Sequence, residues 1–351
     1  MIVVLKPGVG AAEVEMVARE VRQAGYEPRI IHGVELTVIA AVGDERSHGS
    51  LEALMALEPV QQVVPVQKQY KLASRSYRPA DTVIESCGEQ IGGGTFHVMA
   101  GPCSVEGRDQ LFALADTVRA AGATFLRGGA YKPRTSPYDF QGMRESGLEI
   151  LSAARARTGL GVVTEVLSQH DVEVVARHAD ILQIGTRNAQ NYALLQEVAA
   201  SGKPILLKRG WASKIEEWLL AAEYLLVHGN PRVILCERGI RTFETVTRNT
   251  LDLAAVALAK RETHLPVVVD PSQGVGRRDL VEPMSLAGLA AGADGLLIEV
   301  HQHPEQAWSD GPQQITPGQL MALMDRLAAL APMFGKALIR RTDPAAVVPE
   351  P

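Results

Sequence analysis

Eight short apolar runs in this chain each stop at a polar residue able to do chemistry. In order, the stops are Cys103 after HVMAGP, Arg127 and Lys132 in FLRGGAYK, and Glu165 after VVT. Arg187 follows LQIGT, Lys208 closes ILLK, Arg238 follows VILCE, Gln273 follows VVVDPS and Glu299 follows LLI. Arginine offers planar, bidentate donors to phosphate and lysine a point charge, so this cation set reads as a collector of anions. A solvated basic rim is the plainer alternative. It accounts poorly for so many cations at strand ends, because a buried cation without a partner is costly. Two separate anions explain the number better than one.

The densest stretch is Arg127-Gly-Gly-Ala-Tyr-Lys132-Pro-Arg134-Thr135-Ser136-Pro137. Pro133 fixes its own φ and Pro137 restrains Ser136, so Arg134 and the Thr135 hydroxyl sit on a stiffened loop. A second group, Cys103, Glu299 and Asp310, combines a thiolate with two carboxylates and suits a divalent first-row transition metal. Taken singly, Cys103 also fits a small buried residue, and Lys208 beside Arg209 also fits a Schiff-base amine. His301 and His303 in EVHQH read as exposed rim residues.

Such residues converge only if the elements place them on one face. From residue 96 onward, strands near 96–103, 124–130, 161–166, 181–186, 204–209, 233–238, 266–271 and 295–300 alternate with amphipathic helices. Those helices are expected near 107–122, 143–159, 169–178, 191–202, 215–229, 242–260, 279–292 and 317–334. Eight such units predict a closed (β/α)8 TIM barrel, whose strand carboxyl ends form the active face. Residues 1–72 read as β-α-β-β-α-β, with Val14, Val17, Val21 and Ala24 on one helix face and strands meeting at His32-Gly33. This is the pattern of a small α+β ferredoxin-like domain. Residues 73–95 read as a linker, with Gly92-Gly93-Gly94 as a turn rather than a phosphate loop. The barrel is expected to span 96–335, followed by a mobile tail at 336–351.

Composition limits the alternatives. With 351 residues, 46% hydrophobic and 21% charged, the chain accommodates one barrel and one smaller module. Its net charge of −5, from 40 acidic and 35 basic residues, argues against nucleic acid as a partner. The three cysteines show no CxxC spacing, which predicts neither a disulfide framework nor a structural zinc site. The opening MIVVLKPG reads as a strand rather than a signal peptide, no stretch is apolar enough for a membrane span, and a cytoplasmic protein is expected.

Several motifs together carry a family likeness. They are Ala100-Gly-Pro-Cys-Ser104, the Arg127–Pro137 stretch, Ile184-Gly-Thr-Arg-Asn188, Leu206-Leu-Lys-Arg-Gly210 and Cys236-Glu-Arg-Gly239. With them, essentially the whole chain resembles type I 3-deoxy-D-arabino-heptulosonate 7-phosphate (DAHP) synthases that carry an N-terminal ferredoxin-like domain. The resemblance implies condensation of phosphoenolpyruvate with erythrose 4-phosphate. It implies that Arg127, Lys132, Arg187, Lys208 and Arg238 hold phosphoenolpyruvate and that Arg134 and Thr135 take the sugar phosphate. Cys103, Glu299, Asp310 and the residue at Gln273 would hold a divalent metal, with Glu165 a nearby carboxylate. Lys132, Cys103, Glu165 and Gln273 are the implied catalytic set.

The family carries histidine in Asp-Pro-Ser-His where this chain has Asp270-Pro271-Ser272-Gln273. A glutamine offers a carbonyl oxygen in place of an imidazole, which predicts manganese ahead of zinc, iron or cobalt. Two alternatives stand beside this reading. One is a homologue without catalysis that acts as a binding subunit; the other is a 3-deoxy-D-manno-octulosonate 8-phosphate synthase using arabinose 5-phosphate. The likeness further implies feedback by tyrosine or phenylalanine through residues 1–72, and a homotetramer.

Overall fold

The computed structural model describes residues 1–33, 36–43, 51–64 and 69–341, and these pack as two units, Met1–Gln69 and Tyr70–Pro351. In the first unit, strands β1 (Ile2–Leu5), β2 (Glu27–His32), β3 (Thr37–Val42) and β4 (Val60–Val64) form one antiparallel sheet in the order β2-β3-β1-β4. Helix α1 (Ala11–Gln23) buries Val14, Val17, Ala18 and Val21 against Val3, Leu5 and Ile39. The short helix expected after residue 50 is a 3-10 turn at Glu52–Ala56. The turn-rich stretch 44–50 and the end of the last strand, beyond Val64, lie outside the described residues.

The second unit is a closed barrel. Its strands are β7 (Thr95–Gly101), β8 (Phe125–Arg127), β9 (Gly161–Val166), β10 (Ile181–Ile184), β11 (Ile205–Lys208), β12 (Val233–Glu237), β13 (Val267–Val269) and β14 (Gly295–Glu299). All pair in parallel with their neighbours, and β14 closes onto β7 from Gly295↔His97 to Glu299↔Gly101. Outside them lie α2 (Arg108–Ala120), α3 (Glu145–Thr158), α4 (Val172–His178), α5 (Tyr192–Ala200), α6 (Ile215–Val227), α7 (Leu253–Glu262), α9 (Arg278–Ala290) and α10 (Pro317–Leu330). A short α8 (Pro271–Val275) sits between β13 and α9.

Two expectations are corrected at the foot of the barrel. The stretch 73–95 is folded: strands β5 (Ile84–Ser86) and β6 (Glu89–Ile91) form a hairpin. Ile84 and Ile91 pack into one core with Met99, Phe125, Val163, Ile181, Leu206, Ile234, Val268 and Leu297 from all eight barrel strands. The hairpin therefore plugs the barrel, and its two buried isoleucines make this stretch part of the core rather than a linker. The tail is also held at its start. Ala337–Leu338 (β15) pairs with β7, and Lys336 joins Asp294 at 2.7 Å; residues 342–351 lie outside the described residues.

A third correction concerns α7. Helix was expected from 242, yet 238–252 is loop and the helix begins at Leu253, capped by the Asp252 side chain on Ala255 N. The sequence TFETVTRNT explains this, since threonine and asparagine compete for backbone bonds and are poor helix formers.

Candidate active site

Strand periodicity builds the site from the plug upward. Alternate residues of a strand face the same side. Each apolar residue of the inner core is therefore followed two positions later by a residue on the same face. Phe125 leads to Arg127, Val163 to Glu165, Ile181 to Gln183, Leu206 to Lys208, Cys236 to Arg238, Val268 to Asp270 and Leu297 to Glu299. The lower layer fills the barrel with hydrocarbon and the upper layer lines its mouth with charge. Arg127, Lys132, Arg134, Thr135, Glu165, Arg187, Lys208, Arg238, Gln273 and Asp310 all border one cavity of about 140 Å³.

The deep cations are already partnered. Arg127 Nη1 lies 2.9 Å from Glu299 Oε1 and also donates to the Pro102 carbonyl. Lys208 Nζ lies 2.5 Å from Asp270 Oδ2. A Schiff-base lysine is activated by an apolar surround or a cationic neighbour, whereas Lys208 is paired with this carboxylate and its cationic neighbour is paired elsewhere. Arg209 turns away from the mouth to Glu237 and Asp252 at 3.0 and 2.9 Å. Arg238 is buried and, among the described residues, has no carboxylate partner; it donates to Gln273 Oε1 and to backbone carbonyls. At the surface, Arg187 lies over the Trp211 ring, 5.0 Å from its centroid, and its Nη2 donates to Thr135 Oγ1. Arg134 pairs with Asp139 at 3.2 Å on the same loop.

Glu165 stands among the cations. Burial raises its carboxyl above the usual range, against the lowering effects of Lys132 and Lys208. Gly185 leaves room for this carboxylate: a Cβ there would overlap Glu165 Oε1 and displace it. Gln183 Nε2 reaches the other oxygen at 3.4 Å.

The sulfur of Cys103 and carboxylate oxygens of Glu299 and Asp310 lie within 4.8 Å of one another. Burial pushes the Cys103 thiol up to about 12, helped by Glu299 and opposed by Lys132, whose Nζ is 3.0 Å from Sγ. Although burial alone would raise Glu299, Arg127 and Lys132 hold it down to about 2. One sulfur and two carboxylates converging in a buried position fit a divalent transition metal.

Gln273 reaches the site in an orientation unlike the one expected of a metal ligand. Its Oε1 accepts from Arg238 Nη2 and its Nε2 donates to Glu299 Oε1, each at 3.1 Å. A guanidinium can only donate and a carboxylate only accept, so these neighbours dictate the amide's orientation. The carbonyl oxygen thus serves Arg238 rather than the Cys103–Glu299–Asp310 group. His301 is corrected as well: it is buried with Nε2 3.3 Å from Glu106, while His303 is exposed as expected.

Sequence reading missed Gln183, Asp270, Trp211, Gln313 and Arg248. The first two follow from carrying the strand period two residues past the inner core. Arg248, which donates to Asp310 Oδ1 and Gln313 Oε1, sits on the loop misread as helix.

Comparison with known proteins agrees with this geometry. Residues 68–333 match the DAHP synthetase I family, and residues 1–68 match the DAHP synthase ferredoxin-like domain. The chain is 49% identical over 335 residues to a phospho-2-dehydro-3-deoxyheptonate aldolase of Thermotoga maritima, covering 95% of this chain and 99% of the relative. A crystal structure of the DAHP synthase from Thermotoga maritima superposes with a TM-score of 0.91 at 48% identity, covering 96% of this chain and 98% of that one. A 2-dehydro-3-deoxyphosphooctonate aldolase of Acidithiobacillus ferrooxidans is 31% identical, over 65% of this chain and 87% of its own length.

Proposed function

The chain belongs to the DAHP synthetase I family, and we propose that it condenses phosphoenolpyruvate with erythrose 4-phosphate and water to give DAHP and phosphate. This is the first step of the shikimate pathway. The observation that carries the reading is a single cavity holding one buried and one surface group of cations beside a Cys-Glu-Asp set. Neither the catalytically silent homologue nor the octulosonate synthase is favoured, given a 49% identical heptonate aldolase over nearly the whole chain.

Arg127, Lys132, Lys208 and Arg238 hold the phosphate and carboxylate of phosphoenolpyruvate on the floor, with Arg187 closing over it. Arg134 and Thr135 take the phosphate of the sugar. Two anions repel each other in water; fixed cations offset that repulsion and orient C3 of the enol towards the aldehyde carbon. Cys103, Glu299 and Asp310 would hold a divalent metal, with manganese the expected ion, which when bound would supply Lewis acidity for the aldehyde. The C3–C1 bond forms, water adds at C2, and the resulting hemiketal phosphate releases inorganic phosphate. Glu165, whose buried carboxyl holds a proton more readily than a solvated one, is suited to exchange a proton with that water or its adduct. Gln273 acts by positioning Arg238 and Glu299.

The first unit fits a regulatory role, with tyrosine or phenylalanine as effector, in a cytoplasmic homotetramer. Deleting residues 1–69 then removes inhibition and leaves turnover, and sedimentation gives four copies. Among the described residues, no helix is long and apolar enough to cross a membrane.

The direct test is phosphate release from the two substrates by chelator-stripped protein. Manganese-dependent release supports the reading, and release with arabinose 5-phosphate in preference to erythrose 4-phosphate overturns it.

A further inference from the structure

The loop 238–252 carries a cation with one side committed and one side open. Its stem is fixed. Ile240 and Thr250 exchange two backbone bonds of 2.9 Å, Arg248 N donates to Val275 O, and Asn249 Nδ2 donates to Gln273 O. Gly276, at φ 69°, passes so close that a Cβ there would overlap Arg248 Cβ. Only the tip is free, with Phe243 98% and Val246 71% exposed.

From this stem, the Arg248 guanidinium reaches over the mouth. Nη1 donates to Asp310 Oδ1 at 3.2 Å and to Gln313 Oε1 at 2.7 Å, and Gln313 Nε2 in turn donates to Glu299 Oε2 at 2.6 Å. Among the described residues, Nε and Nη2 have no hydrogen-bond partner in the protein. Arg248 borders the same cavity as Arg134, Thr135 and Arg187. After burial, its charge is the chief influence lowering the Arg187 guanidinium, and Arg134 adds to it. Cations crowded in this way are relieved by an anion among them.

We propose that Arg248 contacts the second substrate, its Nε and Nη2 edge taking a phosphate oxygen of the sugar phosphate beside Arg134 and Thr135. Its Nη1 meanwhile stays hydrogen-bonded to Asp310 Oδ1 and Gln313 Oε1. The inference rests on the function proposed above and adds a residue on a different loop to it. A mere strut for Asp310 would affect metal binding and turnover together. A substrate contact affects the sugar's KM.

The test compares full-length wild type, Arg248→Ala and Arg248→Lys. Readouts are manganese affinity by titration, phosphoenolpyruvate affinity by calorimetry, and kcat and KM for erythrose 4-phosphate at saturating phosphoenolpyruvate. Losing a charge-assisted bond raises the sugar KM of Arg248→Ala by about 10- to 100-fold. Manganese and phosphoenolpyruvate affinities stay within about twofold, and lysine, keeping charge but not the planar fork, recovers part of the loss. An unchanged sugar KM overturns the proposal, as does a rise that tracks weakened manganese binding. If wild type itself releases no phosphate from this pair, the fault lies in the proposed function, and the Arg248 assignment falls with it.

Discussion

The floor and the rim of this barrel mouth are built on opposite terms. On the floor, Arg127, Lys208, Arg238, Glu165 and Glu299 project from strands or their immediate ends and are all buried, and Glu299 and Asp270 already neutralise two of the cations. At the rim, Thr135 and Arg248 stand on loops and Arg187 on a 3-10 turn at Thr186–Asn188, and all three are exposed. A buried charge is costly unless it is paired or hydrogen-bonded, so the floor must be assembled by folding. An exposed guanidinium carries no such requirement, and a ligand can complete its geometry. On the proposed assignment, the phosphoenolpyruvate half is organised before any substrate arrives except for Arg187, and the sugar half is finished by its substrate.

The sharpest way to break this contrast is to remove a floor cation. Lys208→Ala leaves Asp270 buried without its partner, so stability falls by about 3–5 kcal/mol in urea unfolding. Phosphate release drops by at least about 10²-fold, as expected when a preorganised cation is lost. A loss of stability below about 1 kcal/mol would mean the pair is not part of the folded framework.

Next in size is the layer beneath. Ile91→Ala opens a cavity in the plug that supports the floor and costs about 2–5 kcal/mol, with sugar KM unchanged. A near-neutral result would return residues 73–95 to the status of a linker. Arg134→Ala probes the rim: sugar KM rises roughly tenfold while stability stays within about 0.5 kcal/mol.

The smallest effect is a pH slope at the foot. Burial depresses His97 below its ordinary value, partly offset by the Gln90 carbonyl that Nε2 faces at 2.8 Å. The unfolded chain then binds more protons than the folded one below about pH 6.5. The contribution of His97 is thus complete above that pH and is lost as pH falls through the lower folded value. In urea melts between pH 7 and 5, His97→Gln flattens this decline; an unchanged slope would assign it to other groups.

The same contrast governs what was legible in the sequence. Eight apolar runs with polar stops revealed the barrel and most of the floor, because strand periodicity and burial act locally along the chain. Gln183 and Asp270 escaped only because their runs were followed to the next cation or amide rather than two residues past the inner core. The rim was harder. Arg248 needs the loop 238–252 to fold back on α8, a tertiary arrangement that local helix periodicity conceals. Gln273 was legible as a departure from the family pattern. Its orientation was not, because that depends on having Arg238 on one side and Glu299 on the other.

The most direct measurement is calorimetric titration of each substrate alone into the full-length protein with manganese present. A floor organised by folding predicts that phosphoenolpyruvate binds without the sugar, and that erythrose 4-phosphate binds measurably only after phosphoenolpyruvate is in place. Erythrose 4-phosphate binding the free protein as tightly as the phosphoenolpyruvate complex would contradict the account.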